Sequence, residues 1–253
     1  MFKLTLEKSL KFAKDNITGI SHFGASTGQE VAIYLKSNIK QINLFEPQDK
    51  PFQILKDKYE NTKNINLFKF GLGSKDKVVE LNIADFKNGE SSSILNPKLH
   101  LDYHPDVKFN KKESIEIRRY DSLESLEDNF LVIDIQGYEM EALTGCINKM
   151  STIDFIYTEV NLVELYENSA LINDLDDFLK TYNFSRYRTH IDVWMMFGDA
   201  LYVKNDYLNK MQKTSIKIKK LFENQKFVLY IKRLLSFKNY KKVIKKIIKN
   251  EKI

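Results

Sequence analysis

From Ile17 to Lys204 the hydrophobic positions alternate between two periods. Short apolar runs at Ile17 to Phe23, Ile42 to Phe45, Ile65 to Phe70, Phe130 to Ile135 and Phe155 to Glu159 have the length and content of buried strands. Between them, Gln29 to Ser37, Pro51 to Asn61, Tyr138 to Lys149 and Leu171 to Tyr182 repeat their apolar residues at helical spacing. Strand, helix, strand, repeated, predicts an α/β fold with a mainly parallel sheet and helices on both faces. The rhythm changes late in the chain. Phe184 to Asp192 and Asp199 to Lys204 read as two strands with no helix between them, an antiparallel edge pair. Lys77 to Ala84 reads as a hairpin-like segment and Asp85 to Lys112 as a polar insertion, the kind of segment that carries function above the carboxyl ends of strands.

The first residues, Met1 to Asn16, set Leu4, Leu6, Leu10 and Phe12 among lysines, an amphipathic helix pattern that differs from the apolar core of a signal peptide. Nothing there looks cleaved, and no window reaches the roughly 18 consecutive apolar residues of a spanning helix. With 253 residues, of which 43% are hydrophobic, the chain holds one sizeable core and an appendage. Cys146 is the single cysteine, which excludes an internal disulfide or a cysteine-rich zinc site and fits a reducing, cytoplasmic setting. It ends a helix pattern and reads as a small buried hydrophobe.

Charge changes this picture at the C-terminal end. Lys210 to Ile253 carries fifteen Lys or Arg against two Glu, a net of +13, so the overall +6 leaves −7 for residues 1–209. The predicted organisation is an acidic domain, 1–206, joined to a basic amphipathic helical tail, 207–253. From Thr214 onward, positions such as Leu234, Phe237, Ile244 and Ile247 place an apolar face opposite a cationic one. Three readings compete for residues 214–253: peripheral contact with an anionic membrane at its inner face, docking on the acidic core or across a homodimer, and nucleic-acid binding, the least favoured.

Four segments carry candidate chemistry. His22-Phe23-Gly24-Ala25-Ser26-Thr27-Gly28 follows the first strand and opens the first helix; its glycines allow a tight turn and close ligand approach, and the helix start can hold an anion. The Gly-x-x-x-Gly spacing differs from the dinucleotide Gly-x-Gly-x-x-Gly, and no Gly-Lys-Ser/Thr occurs, so nicotinamide and triphosphate ligands are disfavoured. Glu46 ends the second strand eighteen positions after Gly28, where a carboxylate can accept hydrogen bonds from a ribose diol, and Pro47 stops the strand there. Asp134 lies within an apolar central strand, where a carboxylate is costly unless partnered at the strand end. Glu159 and Asn161 end the next strand, and in a parallel sheet they fall near Asp134. The bland alternatives are a structural turn, a surface charge and a helix cap.

With these segments in register the chain resembles the FkbM-like methyltransferases over about Ile17 to Lys204. The resemblance includes Ser91-Ser92-Ser93-Ile94-Leu95, His100-Leu101-Asp102-Tyr103-His104-Pro105, Asp134-Ile135-Gln136-Gly137-Tyr138-Glu139 and Gly198-Asp199-Ala200-Leu201-Tyr202. It implies a Rossmann-like class I methyltransferase fold and S-adenosyl-L-methionine-dependent O-methylation of a sugar or similar hydroxylated small molecule. The cofactor would be bound by His22, Gly24, Ala25, Ser26, Gly28, Glu46 and Asp134, with Asp134 near the transferred methyl; relatives commonly carry Asp where this chain has His22. In-line displacement needs the acceptor oxygen beside the methyl group, with its proton taken by Asp134, Glu159 or His104. Ser92, Ser93, His100, His104, Gln136, Asn161 and Trp194 complete the expected acceptor pocket. His100, Asp102 and His104 would approach metal-site spacing on a helix, but Pro105 and the polar surroundings predict a loop, and no metal is expected. Two alternatives stand beside this reading: a non-catalytic Rossmann-like binding module, and a nucleic-acid methyltransferase directed by the tail.

Overall fold

The computed structural model describes residues 4–192, 194–218 and 220. In chain order the elements are α1 (Leu6–Ala13), β1 (Ile20–Phe23), α2 (Val31–Lys36), β2 (Ile42–Phe45), α3 (Asp49–Tyr59), β3 (Ile65–Phe68), β4 (Gly71–Leu72), β5 (Lys77–Ile83), α4 (His100–Tyr103), β6 (Lys111–Arg118), β7 (Phe130–Ile133), α5 (Glu139–Thr144), β8 (Phe155–Asn161), α6 (Ile172–Thr181), β9 (Phe184–Asp192) and β10 (Phe197–Lys204). Each expected strand and helix of the core is present, with ends displaced by a few residues. These elements lie in a compact unit, Met1–Tyr207.

Seven strands form the main sheet in the order β3-β2-β1-β7-β8-β10-β9. β1 pairs in parallel with both β2 and β7, aligning Phe23 with Phe45 and with Ile133. β10 runs antiparallel between β8 and β9, giving the antiparallel edge that the late pattern predicts. The fold is Rossmann-like α/β. All four residues of β1, β2 and β7 are buried because helices cover both faces. On one face, α1 packs Phe12 edge-on against Phe155 and α2 sets Tyr34 edge-on against His22. On the other, Phe23, Leu131, Ile133, Ile156 and Val160 join Ala142 and Leu143 of α5 and Leu175 and Leu179 of α6 in the principal core. Cys146 belongs to that core and is fully buried, with its thiol turned to the Ala142 carbonyl.

The segment expected to be a hairpin is a single strand. β5 pairs antiparallel with β6, from Lys77 opposite Ile117 to Ile83 opposite Lys111, and β4 completes a three-stranded sheet in the order β4-β6-β5. Leu81, Ile115 and Ile117 form its own small core with Val79, Ile83 and Ile94 packed against it. β6 was hidden because Ile115 and Ile117 alternate with charged residues, so the strand is apolar on one side only.

The order of the main sheet sets the position of the site. From β1 the chain moves through β2 and β3 to one side, then returns at β7 and continues to the other side. The loops after β1 and β7 therefore diverge from adjacent strands and leave a crevice at the carboxyl ends, the usual ligand position in open α/β sheets. After Tyr207 a helix begins at Lys210 and is described to Ile218. The apolar and cationic positions from Leu221 onward, on which the membrane, docking and nucleic-acid readings of the tail depend, lie outside the described residues.

Candidate active site

The loop after β1 is held close to its neighbours by backbone bonds: Gly24 and Ala25 both donate to the Phe45 carbonyl, at 2.9 and 3.0 Å. Gly24 sits at φ 83°, and a Cβ there would lie 2.0 Å from the Asp134 carbonyl oxygen, so only glycine lets the loops after β1 and β7 approach. Gly28, at φ 80°, faces Tyr59 and Leu55 of α3 and serves helix packing. Glu46 ties this loop to the end of β2. Its Oε2 accepts from the Ser26 N–H and its Oε1 from the Gln48 N–H, each at 2.8 Å, in a nearly closed environment. Burial pushes its carboxyl up to about 7 in spite of these two donors. Glu30, half-buried, stands at the start of α2, so an acid occupies the place where the sequence suggested an anion site.

Beyond β7 the chain turns sharply through Gln136 at φ 54° and Gly137 at φ 97°. Glu139, almost fully buried, closes that turn: its Oε1 accepts from the Ile135 N–H at 3.2 Å and the Gly137 N–H at 3.1 Å. Asp134 N–H donates to the Phe23 carbonyl at 3.1 Å, which fixes the aspartate beside Gly24. The Gln136 side chain then spans two carboxyls. Its Nε2 donates to Asp134 Oδ1 at 2.8 Å and to Glu159 Oε2 at 3.3 Å, while Asn161 Nδ2 donates to Glu159 Oε1 at 3.4 Å. Asp134 is exposed at the cleft floor, and desolvation by the protein around it raises its pKa. Glu159 lies deeper; desolvation first and the neighbouring Asp134 second raise it well above the carboxylate range.

These loops enclose a cleft of about 630 Å³, its open mouth included. Gly24, Ser26, Glu46 and Pro47 form one wall, Asp134, Ile135, Gln136 and Tyr138 the floor, and Leu81, Ile115 and Ile117 of the small sheet an apolar wall opposite. Ser92 and Glu90 from the insertion reach the rim. No Lys, Arg or His lines it among the described residues.

Of the residues expected from sequence, Gly24, Ser26, Glu46, Ser92, Asp134 and Gln136 line this cleft. Glu159, Asn161 and Ser93 stand one contact behind it, Ser93 Oγ donating to the Gln136 carbonyl at 2.7 Å. His22, Ala25 and Gly28 are not brought into it. His22 is buried on the opposite side of the turn, its Nδ1 3.0 Å from the Tyr34 hydroxyl, and burial lowers it to about 3, so the ring is neutral. Trp194 is 75% exposed in the turn between β9 and β10, where it offers a free ring and no pocket wall. His100 and His104 lie in and just after one turn of helix, α4, where a loop was expected, with rings 4.8 Å apart. His100 also stacks near Tyr166, and burial with the adjacent His104 lowers it to about 4. No group of three or more His, Cys, Asp or Glu among the described residues is arranged for a metal.

The apolar wall, Glu139 and Tyr166 were not anticipated. The alternation around Ile115 and Ile117 carried a signal for the wall; nothing local marks Tyr166, whose role depends on a contact thirty residues away.

A parallel sheet with a glycine loop, an acidic β2 end and an aspartate at its crevice defines a Rossmann-like methyltransferase domain. Residues 22–186 match the methyltransferase FkbM domain, and the chain belongs to that family. It is similar to the 2-O-methyltransferase NoeI of Sinorhizobium fredii, with 26% identity over 175 residues that cover 64% of this chain and 71% of that protein. Among solved structures it is similar to methyltransferase FkbM from Methylobacillus flagellatus KT, with TM-score 0.49 and 19% identity over 74% of this chain; it spans 43% of that longer chain. An rRNA methylase from Streptococcus thermophilus matches with TM-score 0.44 and 10% identity, over 81% of this chain and 98% of that one. No described helix is long and apolar enough to cross a membrane.

Proposed function

We propose that the protein is an S-adenosyl-L-methionine-dependent O-methyltransferase whose acceptor is a sugar or a similar hydroxylated small molecule. The observation that carries this reading is Glu46, a buried carboxylate at the end of β2, fixed by two backbone donors and facing the cleft. The residues present fit the cofactor. Glu46 has lone pairs left for a ribose diol, and Phe45, Leu72 and Ile117 offer an apolar wall for an aromatic base. A lining with acids and without Lys or Arg suits a sulfonium cation and disfavours a pyrophosphate. When bound, the cofactor supplies an electrophilic methyl group to the acceptor.

What this chain supplies is placement and proton handling. Asp134 on the cleft floor accepts the proton of the acceptor hydroxyl as its oxygen becomes alkylated. Gln136 holds the aspartate through its Nε2, 2.8 Å from Asp134 Oδ1. The name of the relative from Sinorhizobium fredii, a 2-O-methyltransferase, supports oxygen as the acceptor atom.

Calorimetric titration with S-adenosyl-L-methionine tests the reading. Binding by the parent chain and, within a few-fold, by Asp134→Asn is expected, with methyl transfer to hydroxylated acceptors lost in the variant. Absence of binding by the parent chain would instead leave the non-catalytic module.

A further inference from the structure

The turn between β9 and β10 lies at the same end of the main sheet as the cleft. β7 and β8 run in parallel with Ile133 beside Thr158, and β10 runs back along β8 with Phe197 opposite Asn161. Residues 194–196 therefore stand beyond the carboxyl end of β8, the end at which β7 delivers Asp134. Two strand spacings of about 4.8 Å separate β7 from β10, so the turn is roughly 10 Å across the sheet from the cleft floor. Its backbone is tied down. Asp192 Oδ1 accepts from the Trp194 N–H at 2.9 Å and the Met195 N–H at 3.2 Å, and the Met196 carbonyl accepts from the Leu162 N–H at 2.8 Å. Met196 is buried, whereas Trp194 is 75% exposed. A fixed backbone thus holds in solvent a large flat ring of a kind that is usually well buried.

Between Asp134 and that ring the strand ends carry hydrogen-bonding groups on one face. Glu159 and Asn161, two apart in β8, share a face. Asp199 lies opposite Glu159 and His190 opposite Asp199, so they join it. Asp199 and His190 are half-buried, so the row opens to solvent toward the sheet edge. At its inner end Asn161 Oδ1 is buried and meets no donor among the described residues, an acceptor that a ligand hydroxyl can complete. Carboxylate, imidazole and amide groups in a row suit the hydroxyls of a saccharide, and a flat indole suits the C–H face of a pyranose ring. A phosphate-bearing ligand is disfavoured there by Asp134, Glu159 and Asp199. Distance sets the size of the ligand, because one pyranose ring is shorter than the span from Asp134 to the turn.

We propose that the acceptor is a saccharide of at least two linked rings, with the hydroxyl to be methylated at Asp134 and a neighbouring ring laid flat on Trp194. The methyl-transfer part of this rests on the function proposed above; the carbohydrate surface does not.

Trp194 is the only tryptophan of the chain, so tryptophan emission reports on this ring alone. The full chain is titrated with the maltose, cellobiose and chitobiose series, from the monosaccharide to the pentasaccharide, with and without S-adenosyl-L-homocysteine, and affinities are measured in parallel by calorimetry. Oligosaccharides of at least one series should change the emission saturably, and the monosaccharide should not. Trp194→Ala, an exposed change that spares the fold, should weaken oligosaccharide binding about tenfold, with Trp194→Phe keeping most of it. Emission unaffected by all three series overturns the proposal, as does a Trp194→Ala chain that binds oligosaccharide like the parent, or a monosaccharide response equal to that of the longer ligands. Emission that responds to phosphatidylglycerol vesicles and to no saccharide assigns the ring to a lipid surface and also overturns it. A saccharide response as expected in a chain that binds no S-adenosyl-L-methionine retains the carbohydrate surface and removes only the proposed function. Methyl transfer to a monosaccharide as fast as to any oligosaccharide, with emission unchanged, does the reverse.

Discussion

Cofactor affinity should rise with pH through a window set by Glu46. In the free protein burial raises this carboxyl from 4.5 to about 7, so it is largely protonated at pH 5.5. A ribose diol donates two hydrogen bonds, and only the ionised carboxylate accepts both well, so binding favours loss of the proton. If the complex returns Glu46 to its ordinary range, affinity should increase roughly 15-fold between pH 5.5 and 7, and one proton should leave on binding at the acid end. Calorimetry in buffers of different ionisation enthalpy measures both quantities. Glu46→Gln should bind more weakly and lose most of the slope, since the carboxyl whose proton is displaced by the diol is gone. An affinity flat across the window in the parent chain, or an equal slope in Glu46→Gln, would refute the reasoning. The same group acts on stability with the opposite sign. Its folded pKa lies above its unfolded one, so its stabilising effect is complete below pH 4.5 and is lost as pH rises through 7, at a cost approaching 3 kcal/mol.

Gly24→Ala should lower stability by about 3 kcal/mol or more and abolish cofactor binding, because the new methyl meets the Asp134 carbonyl at 2.0 Å in a left-handed backbone; thermal melts and calorimetry read the two effects. Asp176→Ala should cost about 2–3 kcal/mol by urea unfolding, since it removes a carboxylate 2.9 Å from the half-buried Arg186 guanidinium and an acceptor of the Tyr202 hydroxyl. If the basic tail contacts an anionic membrane, the full chain will sediment with phosphatidylglycerol vesicles and a 1–206 truncation will not; equal recovery of both in the supernatant removes that reading.

Much of this protein was legible in one dimension. Two hydrophobic periods locate the strands and helices of the main sheet, because burial on both faces leaves each parallel strand almost wholly apolar and each helix with one apolar stripe. Against that background a polar residue at a strand end stands out, and Glu46, Asp134 and Glu159 were found that way. Glycine at 24 was legible for the same reason, since a strand that turns at once into a ligand loop needs left-handed backbone there.

Tertiary structure decided what depends on partners distant in sequence. It paired Lys77–Ile83 with Lys111–Arg118 and so built the apolar wall of the cleft from a segment that reads as polar. It turned His22 toward Tyr34 and away from the cleft, because strand alternation fixes only that a side chain changes face, and which face is which depends on the neighbours. It joined Gln136 to Tyr166 across thirty residues and set Asp134 at the floor with Glu159 behind it. Local sequence fixes backbone propensity and periodicity; hydrogen-bond partners and the desolvation that shifts a carboxyl belong to the packed chain, and so does the division of labour between its acids.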